Sequence, residues 1–390
     1  MRARVSRWTT AALAALLALG ALAPAGGQVP AEPDGPRIGT SFPEDFPVIV
    51  DHSLGVPVIG FGAKGPVTRV PVVLLHGNND TPYPTDCNGA YGKIQALAQH
   101  FADHGYAPSE LWALGYQGEQ CDLVTSPPNR SGPAHSTVEN VPDLRAFVHA
   151  VLAYTGAGQV DIVGHSLGAT LPREWMRQDG AHHLVRRLVS IDGPHHGIIN
   201  CSPNPRNIWQ TPASGGFTPD SAICVEYGAD DTPFLRALNA GDETPGPTEY
   251  FAIRNADASF VFMDRQDGRV PPVPAEDREG RPHDFSMSAA LAGAQRSLDV
   301  TGAGAYDDAL AAAHTGVVNS PEVWDAALAF LTEGTEPPAQ EVVDDGAPGG
   351  PASTGGPELP ASGPAFPLAL ALAVLALGLA LLPPPALRRR

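Results

Sequence analysis

The stretch that decides the fold runs from Val160 to Gly168 and has the sequence Val-Asp-Ile-Val-Gly-His-Ser-Leu-Gly. Its first four residues predict a strand, because short, mostly apolar runs of this kind are typical of strands buried on both faces of a parallel sheet. The next five match Gly-x-Ser-x-Gly, and a helical segment follows them. A sharp strand-to-helix turn raises the central hydroxyl above the sheet edge, and small residues two positions before and after make room for it. We therefore predict Ser166 as a nucleophile; the alternative is a serine in a structural turn.

Strand and helix patterns alternate on both sides of this stretch. Apolar runs predict strands at 70–75, 111–114, 188–191 and 250–253, and helical spacing of apolar residues predicts helices at 94–101, 141–152 and 171–178. Alternating strands and helices are typical of an α/β fold with a mostly parallel central sheet flanked by helices. In such folds ligands bind beyond the carboxyl ends of the strands, so the candidate site should lie at that edge.

A serine hydroxyl needs a histidine base to take its proton, and a carboxylate to orient and stabilise that histidine. After a serine of this kind, the acid and then the histidine follow along the chain. His314 lies between a short strand candidate at 298–301 and a helix that begins at 320–322. His283 is the rival, but no strand precedes it. We therefore predict His314 as the base.

The acid should follow the strand at 250–253, and Asp257 lies just past its end. Asp264 and Asp267 are rivals further along, and a turn-forming role is the alternative for Asp257.

Backbone N–H groups must also stabilise the negative charge that develops on the substrate oxygen. We predict that Leu167, directly after the serine, supplies one, and that Asn78, in the loop after the first long strand, supplies the other. His76, in the same loop, is expected to be a structural histidine.

Composition narrows the classes of partner. The chain has 390 residues, 43% of them hydrophobic, and a formal charge of −18, which excludes wholesale disorder and argues against nucleic acid as a partner. The four cysteines, Cys87, Cys121, Cys201 and Cys224, predict two disulfides in an exported protein. Three pairings are possible. The sequential pairing, Cys87–Cys121 and Cys201–Cys224, is favoured because each bond closes a short loop; free buried thiols are the alternative. No zinc-type cysteine and histidine spacing occurs, so no metal and no other cofactor is expected.

The two ends predict export and anchoring. Residues 1–25 have a basic start, an apolar middle and small residues at the end, which is typical of a secretory signal peptide; an uncleaved anchor is the alternative. Residues 26–44 are an N-terminal extension. A Pro/Gly-rich acidic linker at 333–358 precedes the pentapeptide Leu-Pro-Ala-Ser-Gly at 359–363, an uncharged span at 364–387 that is long enough to cross a bilayer, and three terminal arginines.

The order of pentapeptide, uncharged span and arginines at the C-terminus resembles the LPxTG cell-wall sorting signal of Gram-positive surface proteins, with Ser362 in place of Thr. The resemblance implies that a sortase links the chain to peptidoglycan. A plain transmembrane anchor is the alternative, and either places the protein outside the cell at its surface, with membrane contact only through the C-terminal segment.

The motifs GHSLG, LLHGNND and HTGVVNSPEV, within about residues 45–332, resemble the α/β-hydrolase superfamily and, within it, the secreted class 2 lipase/esterases. PVIGFG at 57–62 and PVVLLHGNND look closer still to the branch of extracellular poly(3-hydroxybutyrate) depolymerases. The resemblance implies an α/β-hydrolase fold and a serine hydrolase of carboxylic esters. It implies Ser166, Asp257 and His314 as the triad and Asn78 and Leu167 as the oxyanion hole.

The segment 195–247 is long for a connection, and such hydrolases carry a cap there, after strand six. His195 and His196, at its start, are expected to line the rim of the pocket without a catalytic role; contact with the substrate is the alternative. The leading interpretation is a surface-displayed lipase or esterase. A polyester depolymerase, a peptidase or amidase, and a non-catalytic wall adhesin on the same fold are the alternatives.

Overall fold

The structure is a computed structural model. It describes residues 37–86, 94–119, 132–201, 221–229, 231–256, 275–277, 279–301 and 312–334. The chain divides into units 1–336 and 337–390, and every described residue lies in the first. The predicted signal peptide, almost all of the linker and the whole sorting signal lie outside the described residues. Within the described ranges, no helix is both long enough and apolar enough to cross a membrane.

A seven-stranded sheet forms the centre of the described domain. Counting a separate two-stranded pair, the described strands are β1 Ile59–Phe61, β2 Val72–Leu75, β3 Leu111–Gly115, β4 Val160–His165, β5 Val185–Ile191, β6 Glu249–Asn255, β7 Ala275–Glu276, β8 Pro282–His283 and β9 Arg296–Val300. The sheet order is β1-β3-β2-β4-β5-β6-β9, whereas β7 and β8 form a separate pair. Only β1 runs antiparallel to its neighbour within the large sheet, so the prediction of a mostly parallel sheet is confirmed.

Helices cover both faces of the sheet. They are α1 Ile94–Asp103, α2 Thr137–Thr155, α3 Leu167–Asp179, α4 Ala222–Tyr227, α5 Pro233–Leu238, α6 Ala312–Val318 and α7 Pro321–Thr332. Strand β2 shows why they do so, because all four of its side chains are buried and alternate between two apolar clusters. Val73 and Leu75 belong to the cluster that contains residues of α2 and α3, and the other two belong to the cluster that contains residues of α1 and α7. A strand that is apolar at every position therefore needs cover on both sides.

Helices α4 and α5 lie between β5 and β6, inside the segment predicted as a cap. A disulfide joins Cys201 to Cys224, which lies within α4. That half of the predicted sequential pairing is confirmed. Cys87 and Cys121 lie outside the described residues, and their pairing stays a prediction.

Two buried carboxylates lie where the N-terminal loop meets α2, and one of them joins the two segments. Asp143 Oδ1 accepts the N–H of His52 at 2.8 Å, and Asp51 Oδ1 accepts the N–H groups of Ser53 and Leu54. The second oxygens of both aspartates are buried and have no hydrogen-bond partner among the described residues. Burial, and next the Asp51 charge, raise the pKa of Asp143 to about 7. Near neutral pH the Asp143 carboxyl therefore exchanges between its protonated and ionised forms.

Candidate active site

Ser166 lies in a strained turn between β4 and α3, as the sequence predicts. Its backbone has φ 55° and ψ −124°, which non-glycine residues rarely adopt, and its N–H donates to the Ile191 carbonyl at 2.9 Å. A Cβ on Gly164 would lie 2.0 Å from the Gly168 carbonyl oxygen, and one on Gly168 would lie 2.5 Å from the His76 carbonyl oxygen. Both positions therefore require glycine. The turn leaves Ser166 partly exposed while its neighbours are buried.

His314 approaches the same edge of the sheet from α6. Its Nδ1 lies 2.6 Å from Asp192 Oδ2, and both side chains are buried, at 6% and 4% exposed. Because a carboxylate accepts, His314 donates from Nδ1–H and the lone pair of the neutral ring lies on Nε2. That tautomer is the one a general base requires.

Asp192 is held from two sides directly after β5. Its N–H donates to the Ile253 carbonyl at 2.8 Å, and its Oδ1 accepts the N–H of Asn255 at 3.1 Å. Its φ of 49° is left-handed, a conformation that Asp and Asn tolerate better than most residues. The register pairs the last residues of β4 and β5, His165 with Ile191, so Ser166 and Asp192 follow neighbouring strand ends.

The structure therefore offers an acid that the sequence analysis missed. The signal was a carboxylate directly after the apolar strand Leu188–Ile191, one strand earlier than the position we considered. Asp257, Asp264 and Asp267 lie outside the described residues, so their roles stay predictions. Asp192 is the described carboxylate that hydrogen-bonds His314 Nδ1.

The rival base lies elsewhere. His283 is in β8, where its Nε2 donates to the His196 carbonyl at 2.9 Å and its ring packs on Phe285. The contacts at the carboxyl edge of the sheet thus favour His314.

Two further histidines support the site as neutral residues. His165 Nε2 lies 3.1 Å from the His314 carbonyl oxygen, and the two rings are 4.6 Å apart. Burial, and next the charge of His314, lower the pKa of His165 well below its ordinary value. His76 donates from Nδ1 to the Gly77 carbonyl and stacks on Tyr116, and burial lowers its pKa to about 4. His76 is therefore a structural histidine, as expected.

The loop after β2 lies directly against the nucleophile. A Cβ on Gly77 would lie 3.0 Å from Ser166 Cβ and 3.5 Å from its Oγ. Next in the chain, Asn78 Oδ1 accepts from Gln117 Nε2 at 3.1 Å and lies 2.6 Å from His135 Nδ1. These contacts hold the Asn78 side chain in the loop that follows Gly77. Leu167, the first residue of α3, places its N–H at a helix N-terminus, which favours negative charge.

His195 is not the rim residue we expected. It is fully buried, with Nε2 2.7 Å from Ser190 Oγ and Nδ1 3.0 Å from Arg173 Nη1. Because the guanidinium only donates, Nδ1 accepts and Nε2–H donates to the serine. Burial, and next the Arg173 charge, lower the pKa of His195 well below its ordinary value. The expectation was wrong because this segment first turns into the core. His196 is partly buried and lies 3.5 Å from Glu243.

The fold is that of an α/β-hydrolase, because a mostly parallel sheet is flanked by helices and a strained serine follows directly after β4. The family model described as Lipase (class 2) matches residues 69–279. This match spans more than half of the chain, which therefore belongs to the class 2 lipase family.

Individual relatives match over shorter stretches. A protein called triacylglycerol lipase from Pseudarthrobacter phenanthrenivorans is 32% identical over 130 residues, which is 33% of this chain and 34% of that protein. A protein of the same name from Burkholderia plantarii is 32% identical over 130 residues, which is 33% of this chain and 31% of that one. The matched stretch is thus about a third of each relative's length. The propeptide form of the Bacillus licheniformis lipase BlEst2 aligns with a TM-score of 0.45 and 16% identity over 70% of this chain and 52% of that one.

Proposed function

We propose that this protein is a secreted, surface-anchored serine hydrolase of carboxylic esters, a lipase or esterase. The observation that carries the proposal is the pairing of a strained, partly exposed Ser166 with the buried Asp192–His314 contact at the neighbouring strand end. Membership of the class 2 lipase family supports the same chemistry.

In the proposed reaction, Ser166 Oγ attacks the ester carbonyl carbon while His314 Nε2 takes the hydroxyl proton. The N–H groups of Leu167 and Asn78 stabilise the oxyanion, and Asp192 stabilises the imidazolium that forms. Collapse of the tetrahedral intermediate breaks the bond to the alcohol oxygen, which receives the proton from His314. Water, deprotonated by the same histidine, then attacks the acyl carbon; the bond to Ser166 Oγ breaks, Oγ takes the proton back from His314, and the carboxylic acid leaves.

The substrate class follows from the relatives. Two relatives that match are called triacylglycerol lipases, so we propose acylglycerols or related carboxylic esters as substrates. A p-nitrophenyl ester series from short to long acyl chains, together with a poly(3-hydroxybutyrate) suspension, separates esterase, lipase and depolymerase activity. Absence of hydrolysis of every ester would favour the adhesin alternative.

Ser166→Ala tests the chemistry. We expect kcat/KM for p-nitrophenyl esters to fall at least about 10⁴-fold with an unchanged Tm, because the side chain supplies the nucleophile and fills no core space. Ser320→Ala is a matched control, since Ser320 precedes α7 and its side chain makes no capping hydrogen bond. Retention of activity by Ser166→Ala would refute the assignment.

Export and anchoring form a separate part of the proposal. We propose that residues 1–25 direct secretion and that the Leu-Pro-Ala-Ser-Gly pentapeptide is a sortase substrate that links the domain to peptidoglycan. Muramidase treatment of cells should release wall-linked protein, and deletion of 359–390 should send it to the medium. Release by detergent alone would support a plain membrane anchor instead.

A further inference from the structure

We infer that, contrary to the sequence expectation of no metal, His100, His104 and Asp325 form a binding site for a divalent transition metal, with Zn²⁺ as the best fit. The two histidines lie at the end of α1, and the aspartate lies in the second turn of α7. One ligand-type atom from each residue lies within 4.8 Å of the others. None of these residues takes part in the proposed ester chemistry.

His104 is in the tautomer that a metal requires. Its Nδ1 lies 2.7 Å from the His100 carbonyl oxygen, and a carbonyl only accepts, so Nδ1 carries the proton. The lone pair of His104 is therefore on Nε2. Metal-bound histidines are commonly oriented in this way, by donation of the other ring N–H to a backbone carbonyl.

His100 places its ring nitrogen Nε2 close to the Asp325 carboxylate without a hydrogen bond. Its Nε2 lies 2.9 Å from Asp325 Oδ1, yet it is buried and has no hydrogen-bond partner among the described residues. The two atoms are thus close without the alignment of a hydrogen bond. A cation coordinated by both would satisfy both, because zinc–ligand bonds of about 2.1 Å in a tetrahedral site separate neighbouring ligand atoms by roughly 3.4 Å.

The donor set selects the kind of metal. Two imidazole nitrogens and one carboxylate oxygen suit Zn²⁺, and also Cu²⁺ and Ni²⁺, whereas Ca²⁺ and Mg²⁺ prefer oxygen ligands only. Three protein ligands leave a fourth tetrahedral position for water. The nearby Asp103 accepts from Gln99 Nε2 at 2.9 Å and is engaged within α1.

The site would connect α1 to the segment that carries the proposed base. Trp324, beside Asp325, donates from its indole N–H to the Val318 carbonyl at the end of α6, the helix that contains His314. Its ring also lies 5.5 Å from the His100 ring. A bound metal should therefore stabilise this part of the fold without entering the reaction, since a ligand that binds only the native state raises Tm by mass action.

The test is a titration of the purified full chain with ZnCl₂, followed by isothermal calorimetry and by thermal unfolding. We expect one saturable site, a higher Tm with Zn²⁺, and loss of binding at acidic pH because protonated imidazole cannot coordinate. Co²⁺ should give the visible absorption bands of a tetrahedral complex. His104→Ala and Asp325→Asn change exposed side chains and should each weaken Zn²⁺ binding at least about tenfold.

The controls are His183→Ala and Glu322→Gln. His183 is an exposed histidine whose Nδ1 also lies near a backbone carbonyl, at 3.2 Å, and Glu322 is an exposed acid in α7 close to Asp325. Both controls should bind Zn²⁺ as the parent does. The inference is overturned if no saturable binding occurs, if His104→Ala and Asp325→Asn bind unchanged, or if the controls weaken binding equally. The readouts do not involve ester hydrolysis, so their failure is distinct from failure of the proposed function.

Discussion

Replacement of Asp192 by Asn tests the acid that the structure assigns. Asn tolerates the left-handed φ of 49°, and its side-chain carbonyl can still accept the N–H of Asn255, so the fold should persist. At the 2.6 Å contact with His314 Nδ1, however, an amide NH₂ would replace a carboxylate oxygen. It donates where the carboxylate accepted, so the histidine proton moves to Nε2 and the ring can no longer take the serine proton.

We expect kcat for p-nitrophenyl esters to fall about 10⁴-fold, which corresponds to about 5.4 kcal/mol in the activation barrier. KM and Tm should change little. Asp299→Asn is the control, because Asp299 lies in β9, another strand of the sheet, and makes an exposed ion pair with Arg254. Activity of Asp192→Asn within tenfold of the parent would refute the assignment, and a comparable loss in Asp257→Asn instead would restore the acid predicted from sequence.

Three further outcomes follow from contacts of the described residues. Gly77→Ala should lower kcat about tenfold at constant stability, because the new methyl would lie 3.0 Å from Ser166 Cβ and displace it by a few tenths of an ångström; an unchanged kcat would show that the loop yields. Replacing both Cys201 and Cys224 by Ser should reduce the free energy of unfolding by about 3 kcal/mol in urea, since the bridge closes a loop with a sequence separation of 23; equal stability would contradict the bridge's role. Asp143 has its pKa raised to about 7 in the folded state against an ordinary 3.8, so its contribution to stability is full below pH 4 and falls as pH rises to 7. Asp143→Asn should remove that fall and leave the protein about 2 kcal/mol more stable than the parent at pH 8 by thermal or urea unfolding, with no gain at pH 4; a difference between variant and parent that does not grow from pH 4 to pH 8 would refute the raised pKa.

Local sequence determined the strand-turn-helix around Ser166. The apolar run from Val160, the two glycines and the following helix mark a strand, a sharp turn and a helix in consecutive residues, although β4 pairs with β2 and β5 in the sheet. The alternation of strands and helices likewise determined the layers, because a strand that is apolar at every position must be covered on both faces. The Cys201–Cys224 pairing was also predictable from the sequence, because it closes a short loop.

Only the tertiary structure decided the partners that come from distant parts of the chain. The His314–Asp192 contact joins residues 122 positions apart, and it depends on the register that places the end of β5 beside that of β4. Sequence order constrains the acid to lie between the serine and the histidine but does not say which strand end supplies it. The burial of His195 and the approach of α7 to the end of α1 are of the same kind. Such contacts depend on how elements pack, and packing of side chains from separate elements has no periodic signal in the sequence.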